Sequence, residues 1–180
     1  MSERVDDYST KWFYASKASA IIEEAIKQYV PFKVATYTAG YGDNLHYVVK
    51  DFNENNKANK CWNFYHYYKP NNGNKDGHSI RVATKELQKR TETNKVLIVL
   101  SDGLPSAYRA NSFGQADVRD AVREARKNGI TVISIAFGSE AHRKSEIDTY
   151  KAMYQNGIIA CDPSMITNEI IKVFKKEFSK

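Results

Sequence analysis

Two short apolar runs constrain this chain more than any other feature. Val96 to Leu100 contains no polar side chain at all, and Thr131 to Phe137 is almost as apolar and rich in β-branched residues. A strand of that kind cannot line a sheet with one wet face, because alternate residues would then meet water; it needs cover on both faces, as in a parallel sheet. Between the two runs lies Gln115 to Asn128, with Val118, Ala121, Val122 and Ala125 at helical spacing and Gly129 placed to end it. Buried strand, amphipathic helix, buried strand is the pattern of a right-handed parallel crossover.

The rest of the chain repeats the alternation. Ala15, Ala18, Ile22, Ala25 and Tyr29 predict a helix over Lys11 to Tyr29, ended by Pro31. Phe32 to Thr38 and Leu45 to Phe52 predict two strands around a Gly40-Tyr41-Gly42-Asp43 turn. Gly77 to Lys89 and Ser145 to Tyr154 read as helices, and Ile158 to Cys161 as a strand. Asp162-Pro163 then opens a last helix carrying Ile166, Ile170, Val173, Phe174 and Phe178. The expected class is α/β: a three-layer, doubly wound, mostly parallel sheet with helices on both faces, in a single domain over residues 1–180. Asn53 to Asn74 is the irregular part, a long connection around Trp62, Phe64, Tyr65, Tyr67 and Tyr68.

Composition excludes several classes. With 42% hydrophobic residues and 9 glycines in 180 residues, the chain is neither disordered nor collagen-like. The five-residue run at Val96 is far short of the roughly 20 apolar residues of a membrane span, and Met1-Ser2-Glu3-Arg4 opens no signal peptide, so a cytosolic location is expected. Cys61 and Cys161 show no metal-ligand spacing and read as buried thiols. The net charge of +6 is local: residues 57–95 hold nine basic and three acidic side chains, and the remainder balances. Beside the aromatic cluster, that excess also fits single-stranded nucleic acid, the alternative function, although aromatics packed on a sheet explain it as well.

In open α/β sheets ligands bind beyond the carboxyl ends of the strands. Asp102, in Ser101-Asp102-Gly103, sits there and is either an oxygen ligand for a hard cation such as Mg²⁺ or the start of a turn. Asn74 and Asp76, before Gly77, are either further oxygen donors or caps of the following helix. No Gly-rich nucleotide loop, Gly-x-Ser-x-Gly elbow or paired histidine motif occurs, and no catalytic residue is assigned. Metal-assisted hydrolysis through Asp102, Asp76 and water lacks a general base.

Lys95 to Ala107, together with Asp117 to Gly138, resembles the von Willebrand factor A (VWA) domain of the cobaltochelatase CobT type. The resemblance extends through Tyr14 to Ala25 and Asn74-Lys75-Asp76-Gly77. It implies a three-loop metal-ion-dependent adhesion site: Asp102 matches the third-loop Asp, and Asn74 falls where the second-loop Thr stands, with Asp76 a close competitor. It also implies a non-enzymatic interaction module working with an AAA+ ATPase of the CobS or MoxR kind, and by extension an accessory role in metal chelation. The family's first strand and Asp-x-Ser-x-Ser loop have no counterpart here. Met1 aligns with the Met that follows that loop, and Asp7-Tyr8-Ser9-Thr10-Lys11 is the degenerate alternative. The expectation is a missing central strand between Phe32 to Thr38 and Val96 to Leu100, weak or lost Mg²⁺ binding, and a tendency to strand-exchanged self-association.

Overall fold

The parallel pairing predicted by the two apolar runs is present. A computed structural model describes residues 7–39, 44–54, 60–62, 73–101, 103–137, 140–155 and 157–178. Its elements, in chain order, are α1 (Asp7–Ile26), β1 (Val34–Ala39), β2 (Asn44–Lys50), a 3₁₀ turn (Lys60–Trp62), α2 (Asp76–Gln88), β3 (Lys95–Ser101) and α3 (Asn111–Lys127). They continue with β4 (Ile130–Phe137), α4 (Glu140–Tyr154), β5 (Ile158–Cys161), a second 3₁₀ turn (Pro163–Met165) and α5 (Ile166–Phe178). β3 and β4 run parallel in the register Lys95 opposite Ile130 through Ser101 opposite Ala136.

The described strands form two sheets, β1–β2 and β3–β4–β5. β1 and β2 are joined through residues 40–43, too short a connection for anything but an antiparallel pair. The Gly40 to Asp43 turn, most of the aromatic cluster and Asp102 lie outside the described residues.

The chain divides into two compact units. One comprises residues 37–45 and 71–160, and its core is Ile80 from α2, Val99 from β3, Val118, Ala121, Val122 and Ala125 from α3, Ile130, Val132 and Ala136 from β4, and Tyr150, Met153 and Tyr154 from α4. The four α3 residues read from the sequence as its apolar face are fully buried. α3 begins a turn earlier than its apolar stripe, because residues 111–113 are exposed and carry no inward signal. Its end follows the expected glycine: Gly129 takes φ 73, open to glycine without a Cβ penalty. Arg126 then ties the helix to the next crossover, donating to the carbonyl oxygens of Val132 (3.2 Å) and Tyr154 (2.8 Å).

The other unit comprises residues 1–36, 46–70 and 161–180. In it α1 packs on α5, which buries Ile166, Ile170 and Val173, and Trp12, Ala20, Val34, Val49 and Cys61 form a small apolar cluster. The buried face of α1 differs from the expected stripe. Ala15, Ser16, Ala18, Ser19, Ala20 and Glu23 face inward, while Ala25 and Tyr29 are exposed. The cause is polar. Glu23 is fully buried, and its Oε2 accepts the Cys61 backbone N–H at 2.9 Å. The seryl hydroxyls turn back onto helix carbonyls, Ser16 onto Trp12 and Ser19 onto Ala15, so they can be buried without losing their bonds. Both cysteines are free and buried, as expected. Burial, reinforced by the Glu23 carboxylate, pushes the Cys61 thiol well above its ordinary range and leaves it unreactive at neutral pH.

One helix start is left under-built. The N-cap of α3 is Ala110, in the extended conformation a cap requires (φ −146, ψ 146), with no side-chain bond to the first-turn amides and no acidic residue in that turn. Ala110→Asp is expected to stabilise the protein by about 1 kcal/mol through a cap bond and the helix dipole, and Gly129→Ala to cost about 1 kcal/mol through the left-handed φ. Urea denaturation of both variants checks this pair, and unchanged midpoints would contradict it.

Candidate functional site at the carboxyl edge of β3

The loop before α2 and the loop after β3 are clasped by one side chain. The Asn74 Oδ1 accepts two hydrogen bonds from Ser106, one from its backbone N–H (2.9 Å) and one from its hydroxyl (2.8 Å). The Asn74 backbone N–H returns a bond to the Ser106 Oγ (3.2 Å), and the Ala107 N–H donates to the Asn74 carbonyl (3.2 Å). The Asn74 amide nitrogen meanwhile donates to Asp76 Oδ1 at 2.8 Å. Gly73 permits this contact, since a Cβ there would stand 2.9 Å from the Ser106 Oγ and 3.0 Å from the Ala107 Cβ. On its other side Gly73 forms an antiparallel bridge to Ala39, whose N–H donates to the Gly73 carbonyl at 2.7 Å.

Asn74 and Asp76 therefore meet, as their spacing suggests, but neither acts as the cap of α2. The N-cap is Lys75, without a side-chain cap bond, and Asp76 lies inside the first turn with only 1% of its surface exposed. Next to it Gly77 packs against Asp117: a Cβ at Gly77 would overlap the Asp117 carboxylate and come within 2.8 Å of its backbone carbon. That close approach brings α2 and α3 together over a polar knot. Arg81 Nη1 donates to Asp117 Oδ1 (2.6 Å), and its Nε donates to Glu124 Oε2 (2.8 Å). The Tyr108 hydroxyl donates to the other Asp117 oxygen at 2.6 Å. Burial first, then the bond to Asp117 and the charges of Asp117 and Asp76, push the Tyr108 phenol well above the usual tyrosine range.

Ser106, Tyr108, Arg81 and Asp117 were not singled out by sequence reasoning. Arg81 directly follows the inward Ile80, and Asp117 directly precedes the inward Val118, so both charges sit at the edge of a buried face. A charge at such an edge is the available signal that it meets a partner across the helix contact. Deeper in the same unit, the Ser134 and Tyr154 hydroxyls are fully buried, and burial raises the Tyr154 phenol strongly. The Ser134 hydroxyl eases ionisation of Tyr154, and the Asp76 charge opposes it.

A divalent cation of the kind implied by the resemblance needs free oxygens. The Asn74 oxygen already accepts two hydrogen bonds, which occupy both of its lone pairs. Asp76 is buried, with one oxygen held by the Asn74 amide. Among the described residues no group of three His, Cys, Asp or Glu side chains converges. The Ser101 hydroxyl donates to the Gly103 carbonyl at 2.8 Å. The described residues thus fit a hydrogen-bonded clasp and do not by themselves fit a Mg²⁺ shell.

Two outcomes test this geometry. Asn74→Ala removes the side-chain half of the clasp and one partner of a buried carboxylate, and is expected to cost about 1–3 kcal/mol in urea unfolding; an unchanged midpoint would contradict the clasp. Tyr108 and Tyr154 both have raised folded-state values, so their contribution is present in full below the unfolded-state pKa of about 10 and is lost as pH rises beyond it. Melting temperature should accordingly hold up to about pH 10 and fall above it. A phenolate absorbance titration in which every tyrosine ionises normally while the protein is folded would contradict that assignment.

Comparison with known proteins agrees with this architecture. Residues 63–171 match the von Willebrand factor type A domain. A stretch of 112 residues is 36% identical to the uncharacterized protein YojO of Bacillus subtilis (strain 168); it makes up 62% of this chain and 18% of that protein. The chain thus spans only a small part of the relative's length. No helix among the described residues is long and apolar enough to cross a membrane. With the family match over more than half of its length, a parallel β3–β4 pair flanked by α2 and α3, and its loops gathered at the strands' carboxyl edge, the chain belongs to the von Willebrand factor type A family.

Proposed function

We propose that this chain is a non-enzymatic protein-interaction module of the CobT kind, which presents the clasped loops 73–77 and 103–108 to an AAA+ ATPase of the CobS or MoxR type. The observation that carries the reading is the Asn74–Ser106 clasp. Two loops from distant parts of the sequence are fixed to each other by side-chain and backbone bonds, and a face held in that way binds a partner without first having to order itself. Membership of the von Willebrand factor type A family, whose domains commonly mediate protein interactions, supports it. The ATPase partner and any accessory role in metal chelation rest on the CobT resemblance.

Mg²⁺, if Asp102 engages it, is a weak addition to this face. The Asn74 oxygen is committed to Ser106, and Asp76 is out of solvent. Strand-exchanged self-association remains part of the proposal, because β3 is an edge of its sheet among the described strands and its apolar run lacks the interior charge or proline that guards such edges.

The test uses the purified chain and a purified AAA+ ATPase of MoxR type from the same organism. Co-elution on size-exclusion chromatography is expected, with little difference between Mg²⁺ and chelator in a nucleotide-free buffer, and it should weaken with Asn74→Ala. Separate elution at all concentrations would remove the ATPase reading. Tight calorimetric binding of Mg²⁺ that is lost in Asp102→Ala would remove the claim that metal is a weak addition.

A further inference from the structure

Beside the clasp, the start of α3 is exposed. Residues 109–113 are all exposed, and Phe113 stands with 67% of its surface in solvent. The backbone beneath it is fixed: a Cβ on Gly114 would come within 2.8 Å of Tyr108 Cδ2 and 3.1 Å of Pro105 Cβ, so the first turn of α3 lies directly on the segment next to Ser106. Phe113, Ala116 and Arg119 follow at three-residue spacing, which makes them neighbours along one diagonal row of the helix. Phe113 and Arg119 are exposed and Ala116 is half-buried, a small step between an aromatic ring and a cation.

The charges around this row are unbalanced in one direction. Each carboxylate of α3 is already engaged: Asp117 by Arg81 and Tyr108, Glu124 by Arg81, Asp120 by Arg123. Arg126 is spent on backbone carbonyls. Arg109 and Arg119 are exposed and make no ion pair or side-chain hydrogen bond among the described residues. An exposed aromatic ring on a helix turn packed against the clasped segment, with two uncommitted guanidinium groups at positions 109 and 119, is complementary to carboxylates that accompany an apolar side chain.

We propose that the amino-terminal half of α3 is a docking surface for an acidic segment of a partner protein, with Phe113 as the apolar anchor and Arg109 and Arg119 as the groups that receive its carboxylates. The inference rests on the reading of the chain as an interaction module and adds the chemistry of the partner. Arginine suits the role because its planar fork meets a carboxylate in two places and can lie against an aromatic face. The ring supplies the buried area, and the two cations set direction and register.

The experiment follows fluorescence polarisation of a short labelled peptide in which leucines alternate with glutamates, with a serine-for-leucine peptide and a lysine-for-glutamate peptide as controls. Binding of the first peptide, weakening with added salt and reduced about tenfold or more by Phe113→Ser, is the expected result. The Arg109→Glu, Arg119→Glu double variant should lose it altogether. These residues are exposed, so the variants are expected to fold, and an unchanged melting temperature verifies that they do. Equal binding of the serine peptide, equal binding by Phe113→Ser, or no binding of the acidic peptide by the unaltered protein would each overturn the proposal. Co-elution of Phe113→Ser with the ATPase, undiminished from the parent chain, would overturn the docking surface while leaving the interaction module standing; separate elution of the parent chain together with Phe113-dependent peptide binding would do the reverse.

Discussion

The parallel register of β3 and β4 is the constraint on which the site depends. Pairing Lys95 with Ile130 and Ser101 with Ala136 sends both strands out at the same edge of the sheet. α2 leads into β3 and so runs back along it. Its 13 residues span about 20 Å and the seven of β3 about 23 Å, so the start of α2 returns to the edge where β3 ends. Asn74 meets Ser106 for that reason, although 32 residues separate them. The strand register itself is held by burial: Val99 and Val132 pack among α2, α3 and α4 residues, and a slip of one residue would turn them away from that core.

Over this apolar base the contact between α2 and α3 is polar at its exposed side and glycine-tight at the start of α2. Gly77 lets the two backbones approach, and Arg81 spans to two carboxylates two turns apart on α3, Asp117 and Glu124. The side chains of Arg81 and Asp117 are about 30% exposed, at 31% and 29%, so solvent screens the charge attraction. The contribution lies more in geometry. Asp117 is bonded on both oxygens, by Arg81 and by Tyr108, and Tyr108 belongs to the segment that carries Ser106. The same carboxylate thereby fixes the helix pair and the far end of the clasped loop.

What could be read from the sequence follows from what each signal depends on. β3, β4, β5 and the buried face of α3 were legible because apolar periodicity and the glycine at position 129 are local properties. Asn74 and Asp76 stood out in the sequence as caps or oxygen donors before α2, and the cap of that helix is Lys75 instead. Their bonds were not legible, because Asn74 finds its partner in a segment fixed only by the strand register. The inward face of α1 was misread at its carboxyl-terminal half for a related reason: Glu23 is buried by a bond to the backbone of Cys61, and no periodicity of apolar residues carries that information. The helix start at Asn111 precedes its apolar stripe, since a first turn standing in solvent leaves no hydrophobic trace.

The clasp also bears on how a fold of this family can hold its loops. Cation coordination and hydrogen bonding compete for the same oxygen lone pairs. An amide oxygen with two donors already in place can ligate a metal only if at least one donor leaves, and here both donors belong to Ser106. Moving Ser106 would disturb Ala107 and Gly73, which are bonded or packed to the same stretch. Metal binding through Asn74 would therefore have to replace several protein bonds at once, whereas the hydrogen-bonded state needs no ion. Two loops can be brought to one edge by strand topology and then fixed either by a cation or by side chains, and the bonds of Asn74 favour the second.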